Sequence, residues 1–130
     1  MELPDAVRAM IQQAESKSLA TISSEYPHVV PVSTVKVIDN KILLVNYFLG
    51  TTLKNIQANP RVSLACWKGL EGYQIKATVE YVTEGDYVTM IKEWVAEILP
   101  TRTVKGVLIL TPVEIYDVTA TAVLPGARIA

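Results

Sequence analysis

At 130 residues the chain is the size of one domain, and 50% of it is hydrophobic at a mean hydropathy of +0.28, a high apolar load for a small chain. Twelve basic residues against thirteen acidic ones give a net charge of −1, and no basic run occurs, which argues against nucleic acid as a partner. One cysteine and one histidine exclude an internal disulfide and the usual Cys/His zinc site, and no apolar stretch approaches the roughly 20 residues of a membrane span.

The start, Met1-Glu2-Leu3-Pro4-Asp5, is acidic and lacks a signal-peptide pattern, so the cytoplasm is the expected compartment. Residues 5 to 17 read as a helix, because Val7, Met10, Ile11 and Ala14 recur at spacings of three and four. Leu19 to Ser23 reads as a short strand and Ser24 to Pro27 as a turn. His28 follows that turn and reads as a solvated or packed histidine. Residues 28 to 38 form one β-rich run. Pro31 inside it removes a ladder donor, which marks an edge, a bulge or an opening in the sheet. An opening there, with Ser33 and Thr34 beside it, would expose backbone groups to a ligand; an ordinary edge-strand proline is the plainer alternative.

Asp39-Asn40 reads as a hairpin turn. Lys41 to Tyr47 is the next strand, and its nearly continuous apolar run Ile42-Leu43-Leu44-Val45 is either buried on both faces or buried on one and covered by a partner on the other. Gly50-Thr51-Thr52 then leads into a short helix that Asn59-Pro60 ends. Gly50 supplies conformational freedom at that corner. The start of such a helix offers unpaired N–H groups and the positive end of its dipole, a ready site for a phosphate, to which the threonine hydroxyls and Lys54 could add. A threonine-capped connection is again the plainer alternative. Arg61 to Trp67 is a strand in which Cys66 reads as a small buried hydrophobe. Residues 68 to 72 are a loop and Tyr73 to Thr83 another strand. A second full helix covers roughly 85 to 98, with Trp94 in its core or at an interface. Val104 to Leu110 and Val113 to Val118 are the last two strands, broken by Thr111-Pro112, and residues 124 to 130 read as loop. About seven strands joined by short turns most easily close into a small antiparallel barrel.

This order, with Pro27-His28, Pro31-Val32-Ser33, the Gly-Thr-Thr corner, the run Asn59-Pro60-Arg61-Val62-Ser63-Leu64 and the later Tyr73-Gln74-Ile75-Lys76-Ala77, resembles the FMN-binding split-barrel superfamily of pyridoxamine 5′-phosphate oxidase, most of all its small flavin-nucleotide-binding members. The resemblance covers residues 15 to 117. It implies a mainly β fold, a six-stranded antiparallel split β-barrel with flanking helices, that forms a homodimer with FMN at the interface. It nominates Val32, Ser33 and Thr34 for the isoalloxazine and ribityl chain, Val45 and Asn46 for the same flavin, and Gly50, Thr51 and Thr52 for its phosphate. Lys54 and Lys76 are further candidates, each with a solvated alternative. The partner residues that close over the flavin are not given by the sequence; Trp94, Arg102 and Tyr116 are candidates. It also implies an oxidoreductase or electron-transfer function, the other reading being a non-catalytic module for flavin, haem or a deazaflavin, or a domain that has lost its cofactor. No catalytic residue or metal ligand is nominated, and the redox partner is unassigned.

The sequence departs from the family in two places. The positions of Thr51 and Thr52 are usually a basic pair in the oxidases, whereas here both are neutral hydroxyls. Nothing matches the C-terminal arginine and histidine segment that holds pyridoxal phosphate in the true oxidases, so synthesis of that cofactor is not expected.

Overall fold

Strand pairing, not helix propensity, sets the first boundary. In the computed structural model, which describes residues 1–122, 124 and 126–130, helix α1 covers Asp5–Gln13 and stops four residues before its predicted end. Ser16, Lys17 and Ser18 instead enter strand β1 (Ser16–Ile22), opposite Trp67, Cys66 and Ala65. The predicted run 28 to 38 splits at the proline into β2 (Pro27–Pro31) and β3 (Val35–Ile38). There follow β4 (Lys41–Asn46), α2 (Thr51–Ala58), β5 (Arg61–Lys68), β6 (Glu71–Val82), α3 (Asp86–Ile98), β7 (Gly106–Asp117) and a two-residue β8 (Ala127–Arg128).

The strands pair antiparallel in the order β2-β1-β5-β6-β7-β4-β3, with β8 beside β7. The expected six-stranded barrel is thus corrected: among the described residues the sheet has eight strands, and its hydrogen-bonded path is not closed. The two ends of that path are nevertheless consecutive in the chain, because β2 leads into β3 through residues 32–34 alone. Two further corrections have local causes. The predicted break at Thr111-Pro112 is absorbed inside β7, where the register against β6 shifts between Lys76 and Ala77 and a bulge accommodates the missing proline donor. The tail, read as loop, contributes β8, which pairs Ala127 with Asp117 and Arg128 with Tyr116; Pro125 of that tail lies outside the described residues.

The β3–β4 hairpin turns as predicted. Asp39 and Asn40 both have positive φ, 52° and 59°, the conformation a two-residue turn of this hand requires. The Asn40 carboxamide oxygen accepts from the Leu3 amide at 3.0 Å and the Arg8 guanidinium at 2.6 Å, tying α1 to the hairpin.

Two apolar layers follow from the pattern. Leu19, Leu44, Leu64, Ile75, Leu108 and Ile115 pack inward with Val7 and Ile11 of α1 and Ile56 of α2. Leu43, Val45 and Val107 face the other way and pack under Val88, Ile91 and Val95 of α3. Strand β4 is therefore buried on both faces, the first of the two arrangements its apolar run predicts. No helix among the described residues is long and apolar enough to cross a membrane.

Candidate functional site

The chain between β2 and β3 is where the sheet path parts, and it carries Val32, Ser33 and Thr34. Pro31 offers no N–H for pairing, so regular pairing stops. The Val32 amide donates to Lys17 O of β1 at 3.0 Å, while Thr34 O accepts from the Val45 amide of β4 at 3.1 Å. The segment thus bridges the two edges, with Ser33 exposed between them and Thr34 buried. On one side it borders a cleft of 630 Å³, whose wall includes Lys17, Val29 and Trp67.

Thr34 is held a second time, by a 3.0 Å hydrogen bond from the Tyr47 hydroxyl to its own. Next to it Asn46, 2% exposed, is engaged at every side. Its carboxamide nitrogen donates to the Tyr81 hydroxyl at 2.9 Å, its carboxamide oxygen accepts from the Leu49 amide at 2.8 Å, and its backbone oxygen accepts from the Lys105 amide at 2.9 Å. The carboxamide of Asn46 therefore shapes the corner between β4 and α2. Tyr81 can approach because Gly106 stands opposite: a Cβ there would lie 2.3 Å from the Tyr81 hydroxyl oxygen.

Helix α2 begins at Thr51 as expected, but the cap differs from the expectation. Gly50 is the N-cap residue, no side chain caps the end, and no acidic residue occupies the first turn. The freedom attributed to Gly50 is not used, since its φ is −114°. The first intrahelical bond runs from the Lys54 amide to Gly50 O at 3.2 Å, which leaves the amides of residues 51 to 53 without an acceptor inside the helix. Thr51 is exposed and Thr52 buried, with 1% of its surface accessible. The helix is fixed to β1 from below by Asn55, whose carboxamide nitrogen donates to the Thr21 hydroxyl at 3.0 Å.

Val32, Ser33, Thr34, Val45, Asn46, Gly50, Thr51 and Thr52 are therefore linked within one protomer through the Thr34–Val45, Thr34–Tyr47 and Asn46–Leu49 bonds. Lys54 is exposed on α2, one turn on. Lys76 stands apart. Its position pairs with Ser63 of β5 on the outer face of the sheet, and its ammonium lies 3.8 Å from Glu114 and 4.7 Å from the Tyr116 ring centre. That face also holds a groove of 600 Å³ lined by Arg61, Ser63 and Lys76. Sequence reasoning missed Tyr47, Tyr81 and Asn55, whose polar groups brace the site; a polar residue inside an apolar strand run or on a short helix is the available signal, but it does not name the partner. It also missed Phe48, 78% exposed in the corner loop.

Two buried titratable groups, Lys17 and Cys66, pair across β1 and β5. Lys17 is buried and donates to Ala14 O, and burial lowers its pKa. Cys66 lies on the inner face with no accessible surface, and burial pushes its thiol up to about 11. Only the thiolate reacts with disulfide reagents, so the native protein at pH 8 is expected to give no thiol in a chromogenic thiol assay and one per chain in denaturant. Prompt reaction of the native protein would show that β1 and β5 open locally.

This arrangement, an open antiparallel sheet whose parted edges meet at a polar corner leading into a short helix, is that of the split-barrel flavin-binding superfamily. A family model described as pyridoxamine 5′-phosphate oxidase matches residues 3–119, and the chain belongs to that family. Among curated proteins it is 35% identical over 105 residues to the uncharacterised protein MJ0282 of Methanocaldococcus jannaschii, covering 76% of this chain and 70% of that one. Among solved structures, HupZ of Group A Streptococcus superposes with a TM-score of 0.83 at 22% identity, over 99% of this chain and 100% of that one. An FMN-binding protein of Syntrophomonas wolfei superposes with a TM-score of 0.78 at 18% identity, over 91% and 85% of the two chains. At these identities the two structures establish the shared fold.

Proposed function

We propose that the protein binds FMN at the interface of a homodimer and acts as an oxidoreductase or electron-transfer protein. The observation that carries this reading is that the 32–34 segment is tied to the end of β4 by the Thr34–Val45 and Thr34–Tyr47 hydrogen bonds, and that the Asn46–Leu49 bond carries the chain from there to the uncapped start of α2. The first segment offers backbone groups along an exposed edge, suited to a flat heteroaromatic ring. The second offers amides and hydroxyls at the positive end of a helix with no acid of its own, suited to a phosphate. One ligand with a ring at one end and a phosphate at the other spans both. Membership of the family and the FMN-binding structural relative support the same choice.

When bound, FMN supplies hydride or single-electron transfer. The chain's own part is to hold it. Val32, Ser33 and Thr34 line the ring and ribityl side, Val45 and Asn46 fix the corner, and Gly50, Thr51 and Thr52 meet the phosphate. Lys54, exposed one turn further along α2, is the proposed auxiliary contact. A second copy is the proposed cover for the outer face of β2, β1 and β5. That face carries small residues at Ser18, Ala20, Ser63 and Ala65, with Ile22, Val29 and Trp67 left 48%, 64% and 40% exposed. Apolar side chains of that size clustered on one face mark an interaction surface. In the dimer Lys76 of one protomer would approach the flavin held by the other.

The first test is the visible spectrum of the purified protein and a titration of any apo fraction with FMN. Flavin bands, or saturable quenching of added FMN, are the expected result. Replacing Thr51 and Thr52 together by alanine is expected to weaken uptake by roughly tenfold, the loss of two neutral hydrogen bonds at about 0.5–1.5 kcal/mol each. Absence of binding at micromolar FMN would overturn the reading.

A further inference from the structure

The neutral Thr51-Thr52 pair leaves a question of charge. A phosphate monoester carries roughly two negative charges at neutral pH, yet the helix start has hydroxyls where a basic pair would serve. The structure holds two cations beside the same corner. The Arg102 guanidinium lies 5.3 Å from the Tyr47 ring centre and 5.9 Å from that of Phe48, and the Lys105 ammonium lies 5.6 Å from Phe48. Both come from the segment between α3 and β7. The Lys105 amide donates to Asn46 O at 2.9 Å, which pins that segment to the end of β4.

Among the described residues neither cation has an ion-pair partner. The two ion pairs among the described residues, Lys76–Glu114 and Arg128–Glu114, involve other residues. An aromatic ring attracts a cation through its quadrupole and carries no formal charge. Tyr47 and Phe48 therefore localise Arg102 and Lys105 while leaving their charge and N–H donors available. Phe48 is otherwise hard to explain, for it is an exposed phenylalanine in a polar corner. It stands three residues before the first residue of α2, so at most about 11 Å of chain separates the two.

We propose that Arg102 and Lys105, held against Tyr47 and Phe48, supply the positive charge for the phosphate of the bound flavin nucleotide in place of a basic pair at Thr51 and Thr52. The inference rests on the flavin reading above. The geometry moves the countercharge from the helix to the loop before β7, while the helix amides and hydroxyls keep the directional contacts.

The test compares FMN with riboflavin, which has the same ring and ribityl chain and no phosphate. Both are titrated into the wild type and into the double variant Arg102→Gln/Lys105→Gln, with flavin fluorescence as the readout. The expected result is that the wild type prefers FMN, that the double variant loses roughly tenfold or more of its FMN affinity, and that riboflavin affinity is unchanged. The dependence of FMN affinity on salt should also flatten in the variant. Unchanged FMN affinity would overturn the inference and leave the flavin reading standing, as would equal losses for both ligands, which would indicate a disturbed fold. Failure of the wild type to bind either flavin would overturn both.

Discussion

Thr51→Glu is expected to abolish FMN binding at micromolar flavin without harming the fold. Thr51 is exposed at the first position of α2, so the longer side chain displaces nothing. A carboxylate there acts on the helix and on the ligand with opposite signs. The first turn of α2 has no acidic residue, and adding one at the positive end of the dipole should stabilise the helix by about 0.3–1 kcal/mol at most. The same carboxylate would stand beside the phosphate, where two like charges 4 Å apart repel by about 4 kcal/mol per unit pair at the effective dielectric of a protein surface. Screening reduces this, but a loss of about a hundredfold or more remains the expected outcome. A flavin titration run beside a thermal melt checks it. Normal FMN uptake by the variant would place the phosphate away from α2, whereas a lowered melting temperature would show that the helix start depends on the threonine itself.

Leu43→Ala and Leu44→Ala are each expected to cost about 2–5 kcal/mol of unfolding free energy. Adjacent residues of a strand point to opposite faces, so in a sheet covered on one side only one of such a pair is expensive. Here Leu43 is 0% and Leu44 1% exposed. Leu44 pairs with Val35 and Leu108 on the inner layer, and Leu43 packs under α3. Both deletions therefore leave cavities in packed surroundings. Ser63→Ala on the outer face of β5, where the hydroxyl accepts a single hydrogen bond from the Gln74 carboxamide at 2.9 Å, provides the contrast, with an expected cost of about 0.5–1.5 kcal/mol. Urea unfolding of the three variants measures the difference. A Leu43→Ala cost near that of Ser63→Ala would mean that α3 packs loosely against β4.

How much of this was legible in the chain depends on the range of the interaction concerned. The Asp39-Asn40 turn, the limits of α2 and the covering of β4 on both faces follow from local pattern, and the structure has them. The apolar spacing of the N-terminal helix continues into Ala14 and so predicts a longer helix than forms, whereas strand pairing of Ser16 with Trp67 is a long-range competitor invisible to a window. Pro112 predicts a break because a proline opposes ladder pairing, but a bulge against β6 lets one strand run through it. Strand number and closure failed for the same reason: both are properties of partners, not of segments. At the site, the residue types that suit a phosphate were visible at positions 50 to 52. The placement of Arg102 and Lys105 beside that corner was not, because they come to it through the pairing of β4 with β7.

That pairing has a consequence for the order in which the molecule comes into being. Strand β4 is flanked by β3 on one side and by β7 on the other, and Asn46 pairs with Gly106 across a long intervening stretch of chain. Contacts so distant in sequence form late, since the loop between them must be closed before they are rewarded. On a translating ribosome the β3–β4 hairpin emerges early, with one edge and one apolar face waiting for elements not yet made. The corner at Asn46 acquires its last hydrogen bonds only when Tyr81 and Lys105 have been synthesised and docked. The corner at Asn46 is thus among the final parts to mature, and a nascent chain truncated before α3 is expected to expose Leu43, a natural target for chaperones.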